Sequence, residues 1–211
     1  IPFPSPATFF NINKSETLLL SMLEADIIGV QTNDIRKNII SCIKKYTLNQ
    51  NKITILDQGK SIHTRPVAID YKYFNEHSRH LENTARSEPH PHLFTFLGVD
   101  RLDPVKGLKE KVQGYEFYLE RHPQAQGSVQ LKQFMIPTRE NCDIYKRYKD
   151  ELLSMIESVN DRFSTPYWLP IDFFYYQMDE KILIQSYLSA DALIVSSLAD
   201  GMNLVSYEYL A

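Results

Sequence analysis

Short apolar runs alternate with longer amphipathic stretches along most of the chain. Where apolar residues recur every three or four positions, the spacing predicts helices. These helices lie near residues 15–24, 33–43, 107–121, 141–163 and 179–188, and after 201. Continuous apolar runs predict strands at residues 27–30, within 53–69, and at 93–99, 129–136, 171–175 and 192–196. This alternation favours an α/β fold in which helices cover parallel sheets.

Polar residues suggest where the early elements begin and end. Ser15 is a predicted N-cap, and either Thr32 or Asn33 is expected to cap the next helix. Residues 57–60 are predicted to form a turn between two short strands. In the helix at 107–121, the residues expected to face the core are Leu108, Val112, Tyr115 and Leu119.

Between Asp70 and Pro91 the chain becomes polar, which is typical of a domain junction or an inter-domain helix. The histidines of this stretch and its border are His77, His80, His90 and His92. Their spacing matches no common pattern of metal ligands, and no cysteine accompanies them. We therefore interpret them as solvated linker side chains and predict no metal site.

The composition excludes several classes of protein. With 211 residues, a net charge of −3 and a pI near 6.1, the chain offers no basic surface for nucleic acid. No apolar run approaches the ~20 residues of a membrane-spanning helix. Cys42 and Cys142 indicate reduced thiols of a cytoplasmic protein rather than a disulfide. Because the sequence ends inside an expected helix at Ala211, we expect an internal segment of a longer protein.

Two segments far apart in the sequence carry the most specific chemistry. Residues 98–107 place two cations, Arg101 and Lys106, in a turn after a strand. Residues 200–208 combine a turn with a helix start, where main-chain N–H groups are unpaired. Two cations and a helix start together suit a diphosphate group. The spacing alone leaves open that Arg101 and Lys106 are surface charges in ion pairs.

Three further charged residues are candidates for substrate contacts. Asp200 and Glu208 are eight positions apart, just over two helical turns, which predicts that both carboxylates lie on nearly one face and could hold sugar hydroxyls. A carboxylate near a helix start is also a common cap. Arg139 follows a strand and suits a second anion, such as a phosphate on an acceptor; the alternative is a solvated loop arginine.

Aromatic residues cluster late in the chain, in Tyr167, Trp168 and the run at 173–176. They could form a stacking platform for a ligand. Buried strand core is the preferred interpretation, because aromatic side chains supply much of the apolar area that a core needs.

Taken together, these segments resemble the trehalose-6-phosphate synthase family. Residues 98–107 and 196–211 resemble the family's most specific motifs, GVDRLDYIKG and TSLRDGMNLVAKEYVA. Residues 1–5, 25–32, 66–70 and 168–171 resemble further family segments in the same order. The resemblance covers the whole chain and implies an α/β fold of the GT-B type, with two Rossmann-like domains. It implies that residues 1–70 end the acceptor-side domain, 71–91 link the domains, and 92–211 form most of the nucleotide-sugar-binding domain.

The family transfers glucose from UDP-glucose to glucose 6-phosphate with retention, which gives trehalose 6-phosphate and UDP in trehalose biosynthesis. The resemblance implies that Arg101 and Lys106 bind the diphosphate, and that Asp200 holds hydroxyls of the donor glucose. Arg139 would take the acceptor phosphate, and Met178 would line the uracil pocket through its backbone. The other implied donor contacts are Gly201, Met202, Asn203, Leu204, Val205, Ser206, Tyr207 and, at the ribose, Glu208. No cofactor besides the donor substrate and no protein nucleophile is expected.

The sequence departs from the family pattern at Ala68, Pro104, Ala199 and Tyr207. None of these is an implied diphosphate ligand, but they leave open a non-catalytic regulatory subunit of a trehalose synthase complex. A trehalose-phosphate phosphatase or other subunits of such a complex are candidate partners. Another nucleotide-sugar transferase, such as a glycogen or sucrose-phosphate synthase, is a third interpretation. We expect residues 1–211 alone to be inactive, because the family's upstream donor-binding histidine and glycine-rich loop are not in this sequence.

Overall fold

A computed structural model describes residues 2–50, 61–85 and 93–211. The predicted turn at 57–60 and two of the linker histidines, His90 and His92, lie outside the described residues. The chain divides into two compact units, each with a parallel sheet. The first contains Ile1–Ala68 and Ala199–Asn203, and the second contains Ile69–Leu198 and Leu204–Ala211.

The first unit pairs two parallel strands, β1 (Ile27–Val30) and β2 (Ser61–Thr64), with Ile27 opposite Ser61. Its helices are α1 (Pro6–Phe9), α2 (Ser15–Met22) and α3 (Asn33–Gln50). Its apolar core includes Phe9, Leu19, Ile39, Cys42 and Ile43. The strand β2 occupies part of the predicted region 53–69, while residues 65–69 are irregular.

The helix boundaries of the first unit differ in one respect from the expectation. Ser15 is the first residue of α2 and is buried, and the N-cap is Lys14, whose φ is 60°. The predicted Ser15 cap is therefore wrong, because the chain enters α2 through a left-handed residue. At α3 the Thr32 hydroxyl accepts a hydrogen bond from the Ile35 amide at 3.3 Å, as expected of a cap.

The second unit contains a four-stranded sheet in the order β5-β4-β3-β6, with every pair parallel. Its strands are β3 (Phe94–Arg101), β4 (Val129–Ile136), β5 (Ile171–Tyr175) and β6 (Ala192–Leu193). Its helices are α4 (Tyr71–Ala85), α5 (Leu108–Arg121), α6 (Asp143–Phe163), α7 (Glu180–Ser189) and α8 (Leu204–Leu210). The bounds predicted for β4 and β5 are confirmed, whereas β6 is shorter than the predicted 192–196.

Both faces of this sheet are covered by helices. On one face α5 contributes the predicted inward residues, which are all buried: Leu108, Val112, Tyr115 and Leu119. On the other face α4 and α7 pack together over Leu97, Val99 and Phe134. The stretch expected to be a polar junction thus begins with a helix, α4, that belongs to the second unit.

The core interpretation of the aromatic cluster is confirmed for Trp168. Its side chain is buried, and its indole Nε1–H donates to the Val129 carbonyl at 2.7 Å. Tyr167, by contrast, is 96 % exposed. Among the described helices, none is long and apolar enough to cross a membrane.

Candidate active site

The strand order of the second unit indicates where a ligand would bind along the sheet. From β3 the chain moves outward through β4 to β5, and it then returns to β6 on the opposite side of β3. The direction of winding therefore reverses between β3 and β6. In open α/β sheets, ligands bind outside the carboxyl ends of the strands at such a reversal. The loops that follow β3 and β6 are the candidate site.

The loop after β3 carries both predicted diphosphate ligands. Arg101 is the last residue of β3 and is exposed, and Lys106 ends a short 3-10 turn, Pro104–Lys106. The Asp103 carboxylate caps this turn by accepting the Val105 amide at Oδ1, over 3.1 Å. Two cations thus leave the same strand end within a few residues, as the sequence predicts.

The loop after β3 is locked to the loop after β6. Gly107 has a φ of 63°, and a Cβ at this position would lie 2.2 Å from the Ser196 carbonyl oxygen. The Ser196 hydroxyl donates to the Lys106 carbonyl at 2.9 Å. The Leu198 amide donates to the Val105 carbonyl at 2.8 Å. Gly107 is therefore required both for its backbone conformation and for the close approach of the second loop.

A buried ion pair lies beneath these loops and was not anticipated from the sequence. Lys111 Nζ lies 2.6 Å from Asp100 Oδ2 and 3.0 Å from Gln133 Oε1. The side chains of Lys111 and Asp100 are 1 % and 3 % exposed. A signal was available, since Lys111 falls at helical spacing between the inward residues Leu108 and Tyr115. A charge there needs a buried partner.

The loop after β4 is connected to the loop after β3 by hydrogen bonds through a tyrosine. Arg139 has a φ of 49°, and its Nη1 donates to the Tyr145 hydroxyl at 2.5 Å. That hydroxyl donates in turn to Asp103 Oδ2 at 3.2 Å. Arg139 is thereby connected to the loop that carries Lys106. Sequence reasoning missed Tyr145, because nothing in its helical pattern distinguishes it from an ordinary surface residue.

Glu208 lies in α8 and is held by a residue that the sequence did not reveal. The Tyr187 hydroxyl donates to Glu208 Oε2 at 2.8 Å. Burial raises the pKa of Tyr187, and the charge and hydrogen bond of Glu208 raise it further. The phenol therefore stays protonated and acts as a permanent donor to the carboxylate.

The shared helical face predicted for Asp200 and Glu208 is wrong. The helix begins only at Leu204, so Asp200 precedes it and the helical spacing does not apply. Residues 199–203 belong to the first unit, where a Cβ on Gly201 would lie 2.7 Å from Gln31 Oε1. In the same segment the Asn203 side-chain amide donates to Asp200 Oδ2 at 3.5 Å.

The remaining predicted donor contacts lie on two segments. Met178 stands between β5 and α7 and is half-buried. Most of the others are half-buried at the start of α8 or directly before it: Met202, Leu204, Val205, Ser206 and the more exposed Tyr207. Across the described residues, no group of three His, Cys, Asp or Glu side chains could hold a metal ion.

Known proteins resemble this chain in sequence and in fold. It is 31 % identical over 218 residues to the UDP-forming alpha,alpha-trehalose-phosphate synthase of Pichia angusta, covering 100 % of this chain and 46 % of that protein. The corresponding protein of Emericella nidulans is 34 % identical over 217 residues, covering 100 % and 43 %. A solved structure of a UDP-forming synthase from Burkholderia xenovorans is 27 % identical with a TM-score of 0.86, covering 100 % and 49 %. The chain spans about half the length of the curated relatives it matches.

The structural likeness confirms the predicted fold class, an α/β protein of GT-B type with parallel sheets. The sequence model of glycosyltransferase family 20 matches residues 1–211, so it includes both segments that flank the winding reversal. The match over the full sequence, and the packing of the two loops at that reversal, lead to one assignment. The chain belongs to glycosyltransferase family 20.

Proposed function

We propose that the protein containing this chain transfers glucose from UDP-glucose to glucose 6-phosphate with retention, forming trehalose 6-phosphate and UDP. The observation that carries the proposal is the packing of the loop with Arg101 and Lys106 against the loop after β6. The relatives named above are UDP-forming trehalose-phosphate synthases, which supports the same reaction.

The cations act on the charge that develops in this reaction. The bond between the anomeric carbon and the leaving phosphate oxygen breaks, and a bond to the acceptor hydroxyl oxygen forms. The acceptor proton moves to the leaving phosphate, so no protein nucleophile is needed. Negative charge grows on the diphosphate as the bond breaks, and Arg101 and Lys106 stabilise that charge more in the transition state than in the ground state.

The rest of the site is assigned by chemistry and motif position. Glu208, oriented by Tyr187, accepts hydrogen bonds from the ribose hydroxyls. Asp200 holds hydroxyls of the donor glucose, and main-chain groups of residues 201–207 contact the donor. Met178 lines the uracil pocket. Arg139, which is exposed, binds the phosphate of the acceptor through its planar fork of N–H donors.

The regulatory alternative is less well supported. The chain retains Arg101, Lys106, Asp200 and Glu208, and a subunit without catalysis would not need this set. A cytoplasmic location and association with a trehalose-phosphate phosphatase or other subunits remain predictions.

Kinetics on the protein expressed from its complete reading frame test the donor site. We expect Arg101→Ala and Lys106→Ala each to lower kcat by roughly tens- to thousands-fold, the range for removing one charge contact in the transition state. Arg121→Ala is the matched control, because this exposed arginine contacts Phe117 at the far end of α5. Near-normal kcat in either site variant would show that the residue is not a diphosphate ligand.

The acceptor site is tested separately with Arg139→Ala. This change should mainly raise the KM for glucose 6-phosphate, because it removes binding that ground state and transition state share. The KM for UDP-glucose should change little. An acceptor KM equal to that of the unmodified protein would show that Arg139 is a solvated loop arginine and does not bind the acceptor phosphate.

A further inference from the structure

Tyr145 connects two loops that have different expected ligands. It lies in the first turn of α6 and is half-buried. Its hydroxyl accepts from Arg139 Nη1 at 2.5 Å and donates to Asp103 Oδ2 at 3.2 Å. The Arg139 guanidinium also lies 5.3 Å from the centre of the Tyr145 ring. One phenol thus uses its donor, one acceptor position and its ring at the same time.

The Asp103 carboxylate extends this connection to the turn that carries Lys106. Asp103 is only 8 % exposed. Its Oδ2 accepts a hydrogen bond from the Tyr145 hydroxyl, and its Oδ1 accepts one from the Val105 amide at 3.1 Å. Because Asp103 is fixed by the turn and by burial, it provides a rigid anchor for the phenol.

The backbone of Arg139 is held in its own loop by the Cys142 amide, which donates to the Arg139 carbonyl at 2.9 Å, but this bond does not orient the guanidinium. Arg139 is exposed and has a φ of 49°, a conformation that non-glycine residues seldom adopt. Such backbone strain is concentrated at ligand-binding positions. A long cationic side chain on this backbone has many rotamers, and the bond to Tyr145 selects one of them.

We propose that Tyr145 is a positioning residue that holds Arg139 in place for a phosphomonoester on the acceptor, using Asp103 as its anchor. The inference rests on the proposed role of Arg139. Binding of the phosphate then requires less ordering of the arginine, because the side chain is already aimed. The same anchor belongs to the turn of Lys106, so the acceptor arginine and the diphosphate lysine are held at a constant separation.

Tyr145→Phe tests this role, since it removes the hydroxyl and keeps the ring. In the protein from the complete reading frame, we expect the KM for glucose 6-phosphate to rise about tenfold, the usual effect of losing a hydrogen bond to a charged group. The KM for UDP-glucose should rise less, because Asp103 keeps its bond to Val105. Tyr167→Phe is the matched control on a tyrosine that is 96 % exposed.

A double variant separates positioning from a general structural role. In the Arg139→Ala background, Tyr145→Phe should add nothing to the acceptor KM, because it acts only through the arginine. An equal effect in both backgrounds, or a fall in Tm with an unchanged acceptor KM, would overturn the inference. If Arg139→Ala alone leaves the acceptor KM unchanged, the proposed role of Arg139 fails first. If Arg139→Ala raises it and Tyr145→Phe does not, only the inference about Tyr145 fails.

Discussion

A glycine with positive φ lies near each end of α5, Gly107 before its first residue and Gly127 beyond its last, yet the two ends are built differently. At the amino end, a Cβ on Gly107 would meet the Ser196 carbonyl oxygen at 2.2 Å. Beyond the carboxyl end, Gly127 has a φ of 81° and a Cβ there would have nothing within 4 Å. The first glycine serves a close contact between loops, whereas the second serves only its own turn.

The side chains below the two ends differ in the same way. Near the amino end, Lys111 is paired with Asp100 inside the protein. Near the carboxyl end, α5 is held by apolar burial of Leu119 and by the Tyr115 hydroxyl, which donates to the Val129 carbonyl at 3.2 Å. Buried charge is expensive, and its partners must be arranged in one geometry. The second unit therefore places a buried ion pair next to the candidate site.

The largest expected effect comes from breaking the buried pair. Lys111→Met leaves the Asp100 carboxylate without its cation and should lower the free energy of unfolding by about 3–5 kcal/mol. Urea unfolding followed by circular dichroism measures this. Lys109→Met is the matched control: its partner Glu151 is largely exposed, so water screens the pair and the loss should be clearly smaller than for Lys111→Met. Equal losses in the two variants would contradict the contrast between the ends of α5.

Alanine at the two glycines gives the next largest effect. Gly127→Ala should lower the free energy of unfolding by about 1–2 kcal/mol, for the left-handed conformation alone. Gly107→Ala should lower it by a further 1–3 kcal/mol, roughly, because the added methyl group meets backbone. Thermal unfolding of the pair measures the difference. If both variants lose the same stability, the contact between Gly107 and Ser196 is not tight in solution.

The smallest expected effect concerns one serine at each end. The Ser196 hydroxyl donates to the Lys106 carbonyl, and the Ser128 hydroxyl donates to the Ala125 carbonyl. Replacing either by alanine should lower the free energy of unfolding by about 0.5–1.5 kcal/mol. Only Ser196→Ala should also weaken UDP binding, measured by calorimetry, because it loosens the turn of Lys106. If Ser128→Ala lowers the UDP affinity as much as Ser196→Ala does, the bond from Ser196 to Lys106 has no specific role in UDP binding.

Much of the second unit followed from local sequence pattern. The strands β4 and β5 and the inward face of α5 emerged from apolar periodicity, which reports burial directly. The position of Arg101 and Lys106 in a turn after a strand was also predicted, because the apolar run of that strand ends just before them. Ser15 and the length of β6 were misjudged, since caps and short edge strands depend on neighbouring segments. The buried state of Lys111 and the bonds of Tyr145 and Tyr187 were missed.

The sequence by itself determined the alternation of elements, the family, and the residue types available for a diphosphate and a second anion. Periodicity and motif order are properties of the sequence itself, so they can be recognised without the tertiary structure. The tertiary structure decided which of these residues meet. The winding reversal between β3 and β6 brings Gly107 against Ser196, and the neighbouring strand end brings Arg139 to Tyr145 and Asp103. The contacts of Gly107 with Ser196 and of Tyr145 with Asp103 join residues far apart in the chain, and only the packing of strands and helices specifies them.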